Sequence, residues 1–375
     1  MAKNNIKRMG LFCFYDDNGY VGDYICFLLE QVKKVLDELF IIVNGKIDKK
    51  SKEKLSLYAS KIYLRENLGY DGGAFADIIV NEIGRENIKK WDEIVVFNNS
   101  FFGFFEPLDL IFKRMNQEDV DFWGIRYIDR GICNYIESYF LVFRYNVVRQ
   151  DVLFDFFDKN YKYLINGTYK EICSVFERGL FYYLKNKNFL YGSYIKKCKY
   201  DIFYSPYKNI AECGLPLLKK KCFNYCETLK LEKCYEFINN NYDYDINILL
   251  NEYKQWKLKN MPTDNKQEIV KIPRYDISEK DLLNFLEKND DIYIMGAGFI
   301  AGNIWWSYKY QIKNFMGFIV SKNGKQKDYF GKKVWNISEI KKDSNIVIAM
   351  GRKNSKEVAN IVIGKYNTLF IYRNL

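Results

Sequence analysis

The chain of 375 residues contains no histidine. Imidazole is thereby excluded as a general base, as a metal ligand and as the partner of a Ser or Cys nucleophile. Acid–base chemistry must rest on Asp, Glu, Lys, Tyr or Cys, carboxylates foremost. The nine cysteines (Cys13, Cys26, Cys133, Cys173, Cys198, Cys213, Cys222, Cys226 and Cys234) include no C-x-x-C pair. That scatter suits reduced thiols rather than a zinc site or a disulfide framework. No run approaches the ~20 apolar residues that cross a bilayer. The opening MAKNNIKRMG shows no signal-peptide pattern. With 48% hydrophobic and 18% aromatic residues, disorder is excluded as well. The length allows two domains. Net charge is +11, and residues 285–375 hold 15 Lys/Arg against 7 Asp/Glu. This balance fits phosphate-bearing or membrane-surface partners and fits a Lys-rich solvated surface equally.

Lys7–Tyr15, Leu39–Val43 and Lys61–Leu64 read as strands, separated by helices over Asp23–Leu39 and Lys49–Ala59. This alternation predicts a parallel sheet with right-handed crossovers. The first strand ends at Asp16-Asp17-Asn18-Gly19, a loop able to present carboxylates. The third runs into Arg65-Glu66-Asn67-Leu68-Gly69-Tyr70-Asp71-Gly72-Gly73. Three glycines in five residues permit close backbone approach to a ligand, and Asp71 is expected to cap a helix starting near Gly72. Such a helix start with Arg65 beside it suits a diphosphate. The same residues also serve as an ordinary cap and a surface ion pair.

A fourth strand, Trp91–Phe97, stops at Asn98-Asn99-Ser100 and resumes as Phe101, Phe102, Phe104 and Phe105. Ligands bind beyond the carboxyl ends of strands in open α/β sheets. The polar triplet therefore reads as a site walled by aromatics, or as a solvated turn. A helix over Pro107–Met115 and strands over Asp121–Ile125 and Tyr135–Phe143 follow. Glu177 lies on a mostly apolar helix, Glu171–Leu184, where burial would raise its pKa toward that of a general base. A core-edge pair with Arg178 is the competing role.

Taken in order, YDDNGYVGDY, LRENLGYDGGAF, DEIVVFNNSFFG, DFWG, ESYFLVFR, FERGL and LPLLKKKCF resemble the rhamnan synthesis F family of bacterial surface-polysaccharide glycosyltransferases. The resemblance covers residues 8–225. It implies a GT-A-like fold, a mixed and mostly parallel sheet with flanking helices. It also implies an inverting transfer of rhamnose or a related sugar from a nucleotide-sugar donor to a glycan on a lipid carrier, in capsule or lipopolysaccharide assembly. The protein would then be cytoplasmic, at the inner face of the membrane. By position, Asp16 and Asp17 lie by the nucleotide, and Arg65, Asn67 and Asp71 line the donor pocket. Asn98, Asn99 and Ser100 stand where GT-A enzymes hold a metal, and Glu177 where inverting relatives place the base. The family usually reads Asn-Asp-Ser at the central triplet, and here Asn99 replaces the Asp. An amide oxygen ligates Mg²⁺ without a carboxylate's charge, so use of Mg or Mn, through Asn99 if at all, stays open. Lys or Arg side chains are the alternative counter-charge for the leaving diphosphate. A catalytically silent nucleotide- or glycan-binding scaffold is the alternative function.

Residues 196–235 are rich in Lys and aromatics, which suits a solvated surface helix or an anionic membrane surface; no nucleic-acid-binding motif appears. The sequence divides into a transferase domain at 1–258, a linker at 259–273 and a Rossmann-like α/β domain at 274–375. In the last, Gly296-Ala297-Gly298-Phe299-Ile300-Ala301 sits between a strand and a helix, marking Gly296, Gly298 and Ala301 for nucleotide binding. No carboxylate follows at the expected distance, which disfavours NAD and with it an oxidoreductase; another nucleotide or a CoA-like ligand, and equally a purely structural or docking role, stay open.

Overall fold

The computed structural model describes residues 6–259, 274–321 and 327–372. They fall into two compact units, one of residues 6–127, 136–161 and 189–259, the other of 128–135, 162–188 and 274–372. The sequence reading drew a single boundary at a 259–273 linker, nearly all of which lies outside the described residues.

In the first unit, β1 (Arg8–Phe14), β2 (Glu38–Asn44), β3 (Lys61–Arg65) and β4 (Glu93–Asn98) pair in parallel in the order β3-β2-β1-β4. They alternate with α1 (Asp23–Lys33), α2 (Lys49–Ser56) and α3 (Tyr70–Asp77). The parallel sheet expected from the alternation is present. On α1, Ile25, Leu28, Leu29 and Val32 are buried at helical spacing against the sheet. Each such side chain contributes roughly 1.5–3 kcal/mol by leaving water. On the strands, Phe12 stacks on Phe97 with ring centroids 4.9 Å apart. All four strands run the same way, so the loops after Phe14, Asn44, Arg65 and Asn98 leave from one edge.

Beyond β4 the sheet becomes mixed. β5 (Phe101–Gly103) leaves it, while β6 (Phe122–Ile128), β7 (Tyr135–Ile136), β8 (Phe140–Phe143) and β9 (Tyr191–Ile195) extend it. β8 lies antiparallel between β4 and β6, and β9 runs parallel to β6. The strand expected over Tyr135–Phe143 is thus two strands. It breaks at Glu137, which pairs with Arg126 at 3.6 Å. β10 (Leu217–Lys219) pairs antiparallel with β5 in a separate two-stranded ribbon that the sequence did not reveal. Phe101, Phe102, Phe104 and Phe105 are all buried in the core. Phe102, for example, stacks on Phe223 at 5.2 Å. They support the site from below rather than walling it, contrary to the expectation. Cys198 and Cys213, with Cα atoms 5.7 Å apart, form a disulfide across the helix Pro206–Ala211. The expectation of reduced thiols fails for this pair; the other seven cysteines form no disulfide.

The second unit holds β11 (Asp291–Met295), β12 (Asn314–Val320), β13 (Asp328–Tyr329), β14 (Lys332–Asn336), β15 (Asn345–Ile348) and β16 (Asn367–Phe370). Their order is β13-β14-β12-β11-β15-β16, and every pair except β13–β14 is parallel. This is the smaller α/β sheet expected at the carboxyl end. Ser278 and Asp281 form the capping box that opens the helix Glu279–Lys288. The glycine-rich turn leads into the helix Phe299–Tyr308, and residues 162–188 belong to this unit because they pack on that helix. Ser174 Oγ donates to Asn303 Oδ1 at 2.7 Å, and a Cβ on Gly179 would stand 2.9 Å from the Trp306 ring.

Candidate functional site

The site residues of the first unit gather where the parallel strands end. Register alone sets Asn98 beside Cys13 and Arg65 beside Asn44. Side chains then tie the strand ends to the turn after β3. Asn98 Nδ2 donates to Asp71 Oδ2 at 2.7 Å, and Asn98 Oδ1 accepts from Ser100 N and Ser100 Oγ at 3.0 and 2.6 Å. Asp71 Oδ1 takes the Gly72 N–H at 2.9 Å. Burial raises the Asp71 pKa, opposed by the Asn98 and Gly72 hydrogen bonds and by the charge of Lys219. The polar tip of β4 and the glycine-hinged turn after β3 therefore face each other.

Asp71 is not the cap expected of it. The helix begins at Tyr70, and its N-cap is Gly69, in the left-handed region at φ 71°. Only glycine takes that conformation at no steric cost, and Tyr70 follows it at φ 55° with its ring exposed. Asp71, one residue into the helix, is thereby turned toward Asn98.

Arg65 is held by three partners. Its Nε pairs with Asp77 at 2.9 Å, and its two terminal nitrogens donate to Asn44 Oδ1 at 2.7 Å and Leu68 O at 3.0 Å. It braces the turn. Asn67 Oδ1, by contrast, is a buried acceptor without a hydrogen-bond partner among the described residues. In the loop after β1, Asp16 Oδ1 accepts from the Asn18 and Tyr20 amides and folds the turn on itself. Exposed Asp17 accepts from Tyr15 Oη at 2.6 Å, a bond that raises the Tyr15 pKa.

Asn99 does not point into the site as a ligand. Its Oδ1 accepts from Tyr15 N at 3.2 Å and its Nδ2 donates to Tyr15 O at 2.9 Å and Tyr24 Oη at 3.2 Å. The amide thus docks the backbone of the β1 loop onto the tip of β4. A carboxylate there would lack the donor that Tyr15 O receives.

The sequence reading missed Lys219 and Lys220 as site residues, placing them in a stretch read as a solvated surface helix or a membrane-facing surface. Pairing of β10 with β5 carries both to the tip of β4. Lys219 is 8% exposed, donates to Ser100 Oγ at 2.6 Å and lies 4.1 Å from the Tyr139 ring centroid. Lys220 donates to Tyr24 Oη at 2.6 Å. Burial opposes its ammonium, but Tyr24, Glu252 and Asp16 favour it and the net shift of its pKa is upward. The signal in the sequence was the apolar run Leu215–Leu218 broken by three lysines, which fits a strand end as well as a surface.

A divalent cation does not fit these groups. Among the described residues no three Cys, Asp or Glu side chains cluster to hold a metal ion. The carboxylate at the tip, Asp71, has both oxygens engaged. Asn99 is committed to Tyr15 and Tyr24, and two ammonium groups stand beside them.

Glu177 belongs to the second unit. It lies on the π-helical segment Cys173–Gly179, with Oε2 3.6 Å from an Arg178 nitrogen. Arg178 in turn covers the rings of Tyr135 and Phe299 at 4.2 and 5.3 Å. In the glycine-rich turn, Gly296 has φ 120° and a Cβ there would stand 2.8 Å from Ala349 O. Ala301 is buried, and Gly298 caps the helix with open space at its Cβ position. In the first unit, hollows of about 370 and 240 Å³ open near the amino ends of β1 and β2, among Arg8, Leu36, Asp37 and Glu38. They contain none of the predicted site residues.

Among solved structures, a protein described as a nucleotide-diphospho-sugar transferase from Desulfovibrio desulfuricans G20 is 16% identical. It matches 64% of this chain and 100% of its own, with a TM-score of 0.32. A Leptospira borgpetersenii cytidylyltransferase is 17% identical over 39% of this chain, with a TM-score of 0.25; the match spans 63% of its length. Glucosyl-3-phosphoglycerate synthase from Mycobacterium tuberculosis, solved with Mn²⁺ and UDP, is 11% identical. It matches 42% of this chain and 68% of its own, with a TM-score of 0.24. Likenesses this distant carry no argument about chemistry. No curated protein matches the chain. The model of rhamnan synthesis protein F matches residues 39–283, well over half of the chain and most of the first unit. The chain belongs to the rhamnan synthesis protein F family.

Proposed function

We propose that the protein is a glycosyltransferase that takes a sugar, rhamnose or a close relative, from a nucleotide-sugar donor and adds it to a growing surface polysaccharide. The family match supports the reaction class, and the acceptor proposed is a lipid-linked glycan. The observation that carries the donor site is the bond between Asn98 and Asp71, which joins the tip of β4 to the turn after β3. Around it, the unpartnered Asn67 carbonyl, the exposed Tyr15 and Tyr70 rings and the two lysines surround one edge of the sheet. Such an edge is where α/β sheets bind nucleotides. In the transfer, the acceptor oxygen bonds to the anomeric carbon as the bond to the diphosphate breaks. The electron pair leaves with the diphosphate, and a base takes the acceptor's proton.

Glu177 enters this reading as base through its position in the family pattern. Glu177→Gln is expected to abolish transfer while leaving donor binding intact; wild-type turnover removes it from that role. The overall reading is tested by screening nucleotide sugars for thermal stabilisation and then assaying transfer to lipid-linked glycans. Stabilisation by at least one donor with transfer supports it. Stabilisation without transfer or donor hydrolysis supports the non-catalytic scaffold, and the absence of both refutes the donor site.

A further inference from the structure

We propose that Lys219 and Lys220 form the diphosphate-binding element of this site and take the place of a divalent cation. The inference rests on the donor-site reading above. Three observations lead to it. The first is the mismatch between the site and a metal: one carboxylate with both oxygens engaged, an amide at Asn99 committed to Tyr15 and Tyr24, and no cluster of metal-binding side chains among the described residues.

The second is where the cations stand. Among the described residues β10 pairs with β5 outside the large sheet, and its last residue is Lys219. Lys219 reaches Ser100, whose hydroxyl and amide both engage Asn98, and Lys220 reaches Tyr24, whose hydroxyl engages Asn99. Each of the three polar residues ending β4 is thus connected to one of the two ammonium groups. Each lysine has a neutral hydroxyl within hydrogen-bond distance, which orients its ammonium at the tip of β4. An incoming diphosphate accepts charge-assisted hydrogen bonds from ammonium groups oriented in this way.

The third is the local field. Asp71 lies close enough to sense the Lys219 charge, and Asp16 and Glu252 sense that of Lys220. The charges of Glu252 and Asp16 favour the Lys220 ammonium. The lysines then serve the ground state by binding the diphosphate and the transition state by stabilising the charge that grows on it.

The test is calorimetric titration of the full-length protein with UDP, dTDP, GDP and CDP, in EDTA and in Mg²⁺ or Mn²⁺. The proposal expects at least one diphosphate to bind equally in EDTA. Lys220→Met is expected to weaken that binding about tenfold or more, as the loss of a hydrogen bond to a charged group does. It should weaken the matching nucleoside monophosphate much less, and Lys220→Arg should recover most of the loss. Because Lys220 is half-buried, unfolding temperatures of both variants establish that the fold is kept; if Lys220→Met does not fold, Lys219→Gln is expected to show the same diphosphate-selective loss and takes its place. Binding that requires the metal overturns the inference and leaves the glycosyltransferase reading standing. So does binding that Lys220→Met leaves unchanged, or weakens equally for mono- and diphosphate. Failure of every nucleotide to bind, with or without metal, overturns the donor-site reading and this inference together.

Discussion

Both units place a glycine-bearing turn between a parallel strand and a helix, and the two turns do different work. In the second unit Gly296 is explained by packing, because any side chain would meet the Ala349 carbonyl at 2.8 Å. Its neighbours at the adjoining strand end are Ala349 and Met350, which offer no side-chain hydrogen bonds. In the first unit Gly69 turns the chain so that Asp71 meets Asn98, and Ser100, Lys219, Asn44 and Arg65 converge on the same edge. A glycine-rich turn records a demand on the backbone. Polar side chains from neighbouring strand ends are what make such a turn a site.

The largest expected effect tests the packing half of this comparison. Gly296→Val forces a branched side chain into the left-handed region and against a carbonyl, so it should destabilise the second unit by about 3 kcal/mol or more. Denaturant unfolding followed through Trp305, Trp306 and Trp335 fluorescence measures it. Nucleotide binding at the first unit should persist below the transition. An equal loss of both would mean that the two units do not unfold independently.

Next comes Asp71→Asn, which keeps the shape and removes the charge. Loss of nucleotide-sugar binding is expected, because the bond to Asn98 and the field beside Lys219 both depend on the carboxylate. Its pH dependence has a definite sign. Burial raises the folded-state pKa of Asp71 above its unfolded value. The stability Asp71 contributes is therefore full below the unfolded pKa and declines as pH rises through the folded one. Relative to Asp71→Asn, the wild-type protein should gain stability as pH falls through the carboxylate range. Unfolding free energies of the two proteins across that range check the slope, and a rising difference with pH would reverse the assignment.

The architecture was legible because hydrophobic spacing carries it. Ile25, Leu28, Leu29 and Val32 on one helix, and unbroken apolar runs such as Ile94–Phe97, leave little choice but a parallel sheet. The meeting of Asn98 with Asp71 was legible too, since strand ends of a parallel sheet share an edge. Hydrogen-bond direction was not. Asn99 reads as a ligand from its position in a motif, whereas its amide spans Tyr15 N and O, 84 residues earlier in the chain. Lys219 was hidden for a related reason: Leu217–Lys219 becomes a strand only because Phe101–Gly103 lies beside it. Three-residue strands have no periodicity to read. Segment 162–188 was assigned to the first domain because contiguity is the default, yet the fit of Gly179 to Trp306 is visible only in three dimensions.

The smallest expected effect separates the two glycines of one motif. Gly298 lies two residues beyond Gly296, in extended backbone at φ −138°, and nothing stands within 4 Å of a Cβ built on it. Packing therefore makes no demand for glycine at this position. Gly298→Ala should change stability by no more than about 0.5 kcal/mol, the range of an unobstructed substitution. Any reason for its glycine must come from a ligand that approaches the backbone at the start of the helix Phe299–Tyr308. Thermal shift of Gly298→Ala against the same nucleotides, read beside wild type, isolates that reason. If a nucleotide stabilises the wild-type second unit and not the variant, Gly298 marks a binding site of its own. If neither responds, the motif in the second unit is a packing device, and nucleotide chemistry belongs to the unit in which polar side chains converge.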